Sequence, residues 1–65
     1  MNIYEFENKK NVKIVTDDGK EYIGTVLSIM DENEMDNMEP MVDIETQNGI
    51  FGILESEIAS MEIIL

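Results

Sequence analysis

The sequence predicts an all-β domain in which five short strands curl toward a barrel behind a short N-terminal helix. Three observations carry this. Apolar and polar residues alternate over short runs, the pattern of strands with one buried face. Glycine- and asparagine-bearing turns separate those runs. The chain has 65 residues, which allows one domain spanning 1–65. Hydrophobic residues make up 43%, too many and too regularly placed for a disordered acidic chain.

Residues 1–10 place Ile3, Phe6 and Lys10 at helical spacing, with Asn2 as N-cap, which predicts a one- or two-turn helix over one open end of the barrel. Asn11–Thr16 is the first strand, with Val12, Ile14 and Val15 as its apolar members. Asp17-Asp18-Gly19-Lys20 makes a tight turn in which Gly19 takes positive φ and the aspartates bond backbone amides. Glu21–Met30 is a longer strand rich in β-formers. Strict alternation puts Ile23, Leu27 and Ile29 on one face and Tyr22 and Val26 on the other, and Gly24 marks a bend or a close backbone approach. Asp31–Pro40 is a polar loop. Met41–Thr46 turns Val42 and Ile44 inward and Asp43 and Glu45 outward. Asn48-Gly49 predicts a type I′ hairpin with both residues at positive φ. Ile50–Leu54 is the fourth strand, with Gly52 as a second bend. Glu55-Ser56-Glu57 is a turn, Ile58 plugs the core, and Ala59–Leu65 is the last strand.

This layout resembles the Sm-like barrel, a branch of the SH3-like folds. Val12-Lys13-Ile14-Val15-Thr16-Asp17-Asp18-Gly19-Lys20-Glu21-Tyr22-Ile23-Gly24-Thr25-Val26 resembles the family's first motif, and Ile50-Phe51-Gly52-Ile53-Leu54-Glu55-Ser56-Glu57-Ile58 with the strand after it resembles the second. The similarity covers roughly residues 9–65 and is closest to small bacterial Sm-like proteins. It implies rings closed by strand pairing between subunits, and a uridine-rich RNA site at Asp31, Asn37, Leu54 and Glu55. The family carries Arg-Gly where this chain has Leu54-Glu55, so an apolar residue replaces the cation and an anion replaces the glycine.

The charge pattern bears on the same question. Fifteen acids stand against four lysines, for a net charge of −11. Lys9, Lys10, Lys13 and Lys20 all lie in the first twenty residues, where four acids balance them. Residues 21–65 hold eleven acids and no base. Such a surface keeps a small protein soluble and repels nucleic-acid phosphates and anionic membranes. No His, Cys or Arg is present. Their absence removes Ser-His and Cys-His nucleophile pairs, cysteine–histidine zinc sites, disulfides and bidentate guanidinium contacts. No apolar run is long enough to cross a membrane, and no signal peptide is legible, so the expected location is cytoplasmic.

Candidate sites are few. The 31–39 run offers calcium ligands at Asp31 and Asn33, but Met35 holds the next ligand position and Asp36 the position that needs glycine, so a solvated loop is the simpler reading. The acid pairs Asp17/Asp18, Glu55/Glu57 and Asp31/Asp36 lie in turns and loops rather than in the buried setting that raises a general acid's pKa. No catalytic residue, metal ligand or cofactor is expected. Methionines gather around the loop, and Met35 and Met38 suit an adaptable partner-binding surface. The last strand is apolar on both faces at Ile63, Ile64 and Leu65, which is unusual unless something covers it. The expectation is a non-enzymatic binding and assembly module. It meets copies of itself or another protein through Met35, Met38, Ile50, Leu54, Met61, Ile63 and Ile64. RNA binding in the family manner, or action as an acidic decoy of a nucleic-acid-binding protein, are the alternatives.

Overall fold

A computed structural model describes residues 2–30 and 39–64. Five strands form one antiparallel sheet: β1 (Val12–Thr16), β2 (Glu21–Met30), β3 (Met41–Thr46), β4 (Gly49–Leu54) and β5 (Ile58–Ile63). Their order across the sheet is β4-β3-β2-β1-β5. The all-β prediction holds. The barrel does not close: β4 and β5 are the two outer strands and do not pair with each other.

The expected N-terminal helix is a single 3-10 turn, Ile3–Phe6. Asn2 caps it as predicted, its side chain accepting from the Tyr4 N–H at 3.1 Å. Ile3 is 1% exposed and belongs to the core, with Phe6 packed against it. The segment after this turn lies along the part of β2 that β1 leaves uncovered. Asn8 N–H donates to the Val26 carbonyl and Val26 N–H to the Lys9 carbonyl, both at 3.0 Å, and Ile29 N–H donates to the Glu7 carboxylate at 3.3 Å. This strap bends through Asn8 at φ 65° and Asn11 at φ 59°, left-handed conformations that asparagine tolerates better than most residues. Asn11 therefore precedes β1 rather than opening it.

The core is Ile3, Val12, Ile14, Val26, Ile29, Val42, Ile44, Ile53, Ile58 and Met61. Simple alternation along β2 fails, because the register with β3 shifts between Val26 and Ser28. Leu27 is the extra residue of a bulge. It resets the phase, so Val26 and Ile29, three apart, both face inward. Leu27 and Ile23, expected to share a face with Ile29, are 39% and 48% exposed. β5 repeats the device. Its register with β1 shifts between Val15 and Thr16, Ala59 is skipped, and Ile58 and Met61 both reach the core. The inward side chains expected of β3 are found, with Val42 and Ile44 fully buried.

The turns also refine the prediction. Gly19 has φ 86°, and Asp18 bonds both the Thr16 hydroxyl and the Lys20 amide, as expected of a tight turn. The β3–β4 turn is not type I′. Gly49 takes φ 123°, but Asn48 is not at positive φ. The Thr46 hydroxyl organises this turn instead, accepting from the Asn48 N–H and donating to the Gly49 carbonyl, each at 3.0 Å. Gly24 marks the predicted close approach: a Cβ there would lie 1.8 Å from the Glu45 carbonyl oxygen.

Candidate functional site

β4 and β5, the strands expected to meet a partner, are the free edges of the sheet. Neither pairs with a second strand among the described residues, so each presents backbone N–H and C=O groups outward. β4 is a poor core strand. Of its six residues only Ile53 is buried, while Ile50 is 61% exposed and Phe51 is exposed beside it. On β5, Ile63 is 48% exposed, and Ile64 lies just past the strand with its N–H on the Asn11 carbonyl at 2.7 Å. Leu54 is partly buried at the end of β4, and Glu55 is exposed in the 3-10 turn Glu55–Glu57 that follows. Met61, expected on the partner face, is a core residue instead, because the β5 bulge rotates it inward. Met35, Met38, Asp31 and Asn37 lie outside the described residues, as do Asn33 and Asp36 of the calcium reading.

Short hydrogen bonds hold the end of β4 in place. Glu57 accepts the Leu54 N–H, Pro40 accepts the Glu55 N–H, and Glu39 accepts the Ser56 N–H, all at 3.0 Å. Asp17 N–H donates to the Glu57 carbonyl at 2.9 Å, tying the β1–β2 turn to the same corner.

Where the sheet fails to close, a trough runs from the start of β2 and the β3–β4 turn to the gap between β4 and the β1–β2 turn. It consists of two clefts, of about 470 and 440 Å³, that share Tyr22. The Tyr22 and Phe51 rings meet there with centroids 5.2 Å apart and planes tilted by 56°, an ordinary aromatic contact. Gly52 and Ile53 of β4 line the second cleft. Its rim carries Asp17, Asp18 and Glu57 with Lys20, and the first cleft adds Glu21. Two of these acids have a cation nearby: Lys20 is 4.0 Å from Asp18, and Lys13 is 3.8 Å from Glu21.

The chemistry of these acids is that of turns. The Thr16 hydroxyl, followed by the Lys20 amide, holds the Asp18 carboxyl below its ordinary value. That is the opposite of the shift a general acid needs at neutral pH. Among the described residues no three acids converge as a metal site would require, and no helix is long and apolar enough to cross a membrane.

The edge strands were expected from the resemblance and the exposed Ile63 from a last strand apolar on both faces, whereas the exposure of Ile23, Leu27 and Phe51 was not legible. Nor was the trough, since it depends on how far the sheet curls. Comparison of the chain with protein-family models, with curated proteins and with solved structures finds no match.

Proposed function

We propose that this chain is a non-enzymatic assembly module of Sm-like type, and that copies associate by pairing the β4 edge of one with the β5 edge of the next. The observation that carries the reading is that each outer strand pairs on one side only among the described residues and carries exposed Ile50 or Ile63. Open edges with exposed aliphatic side chains invite a further strand. Because the two edges differ, the contact is head-to-tail and propagates to a ring or a filament. The sequence resemblance supports the same geometry.

The charge opposes it. Each copy adds a net −11, so salt screening favours the associated state. Light scattering coupled to size exclusion is expected to show a larger species that grows with ionic strength and protein concentration. Ile63→Asp is expected to abolish it while the monomer stays folded by circular dichroism. A monomer at every salt and protein concentration overturns the reading. Tight binding of uridine-rich RNA by the monomer would favour the RNA alternative instead.

A further inference from the structure

The trough beside β4 is present in a single copy and lies along the edge that self-association would use, but at low ionic strength its charge repels another copy of this chain. The free edge of β4 offers backbone donors and acceptors over residues 49–53, about 17 Å of extended chain, since the Leu54 N–H is already bonded to Glu57. Along that edge the floor is Tyr22, Phe51 and Ile53. The rim is acidic: of Asp17, Asp18, Glu57 and Glu21, Lys20 stands near Asp18 and Lys13 near Glu21, which leaves the acids in excess. The strand that another copy would offer, Ile58–Ile63, carries Glu62 and no base. Its charge adds to the rim's repulsion.

We infer that the trough receives an extended, lysine- or arginine-bearing segment of a different protein, added to the β4 edge as a sixth strand. Main-chain hydrogen bonds to β4 supply affinity, and alternate side chains supply selection. Residues turned to the trough place aliphatic stems or cations on the Tyr22 and Phe51 rings, where a cation meets the negative face of an aromatic ring. Basic side chains at the rim reach Asp17 and Glu57. Rim charges of this kind steer encounter and select partner sign more than they add affinity.

The test uses the whole chain at low ionic strength, where repulsion keeps copies apart, with light scattering confirming the monomer. The probe is a fluorescein-labelled octapeptide alternating Lys and Val, with a Glu and Val peptide as control. Anisotropy is expected to show binding of the first peptide only. Amide shift changes are expected to concentrate at Phe51, Gly52 and Ile53. Asp17→Asn with Glu57→Gln is expected to weaken binding about three- to tenfold; a glutamine at 57 keeps the oxygen that accepts from Leu54. Glu45→Gln with Glu62→Gln removes the same charge away from the trough and is expected to leave binding nearly unchanged. Equal weakening by both pairs, shift changes spread over the whole acidic surface, or no binding of the basic peptide overturns the inference. Both readings use the β4 edge and compete for it, so the peptide is tested on the low-salt monomer, where its failure leaves self-association at high salt standing.

Discussion

At the scale of single residues, Gly24 and Asp18 make the sharpest predictions. The backbone of β3 occupies the space a side chain at position 24 would need, 1.8 Å from a carbonyl oxygen that cannot move without breaking the β2–β3 ladder. Gly24→Ala is therefore expected to cost about 2 kcal/mol or more in urea denaturation, at or beyond the usual range for overpacking. A loss below about 0.5 kcal/mol would mean that the strands splay cheaply. Asp18 makes a prediction about pH. Its folded pKa lies below the ordinary 3.8 because the Thr16 hydroxyl and then the Lys20 amide favour the carboxylate. A depressed carboxyl contributes stability that is fully present above its unfolded value; the contribution begins to fall near pH 4 and is lost as pH drops through the lower folded value. Thr16→Val keeps the shape and removes the hydroxyl. By NMR titration it is expected to move the Asp18 midpoint upward, and an unmoved midpoint would assign the shift elsewhere.

At the scale of elements, the bulges separate what could be read from what could not. Val42 and Ile44 of β3 were legible because nothing interrupts their alternation. No local signal in the sequence marks Leu27 or Ala59 as an inserted residue. Only pairing with a neighbour does so, and pairing is a tertiary fact. The same holds for Asn8 and Asn11, whose left-handed backbone follows from the strap's path along β2. Two substitutions on β2 discriminate the readings. Ile29→Ser is expected to cost about 3 kcal/mol, as a buried aliphatic side chain is lost, whereas Leu27→Ser is expected to cost less than about 1 kcal/mol. Comparable costs would restore simple alternation. The N-terminal 3-10 turn also matters for stability. Ile3→Ala is expected to remove about 3 kcal/mol, a large share of the roughly 3–10 kcal/mol that a domain of this size has in total. Thermal denaturation followed by circular dichroism reads the loss directly.

At the scale of the whole molecule, charge competes with a small core. Fifteen acids and four lysines share a chain that buries ten apolar side chains among its described residues. Folding brings the acids closer together, so the native state is penalised most where screening is weakest. The melting temperature of the monomeric Ile63→Asp variant is expected to rise between about 10 mM and about 1 M salt, as the screening length falls from about 30 to about 3 Å. A flat profile would mean that the acids are spaced widely enough not to interact. The uneven distribution was visible in the sequence from the first twenty residues onward. That several of the acids would border an aromatic trough was not, because Asp17 and Glu57 lie far apart in the chain and meet through one backbone hydrogen bond.

The sheet order carries a consequence for how the domain assembles in time. β1 pairs with β2 across a four-residue turn, and β3 with β4 across two residues. Among the described residues β5 pairs only with β1, placing Val12 beside Ile63 roughly fifty residues along the chain. Closing so long a loop costs more entropy than either hairpin, so this contact forms late and gives the domain the slow folding of non-local β topologies. Until it forms, β1 has an open side and Ile58 and Met61 stay in water. During that interval β5 of another molecule competes for the same place. An exchanged dimer, locked in during refolding at high concentration, is therefore the characteristic error of this fold.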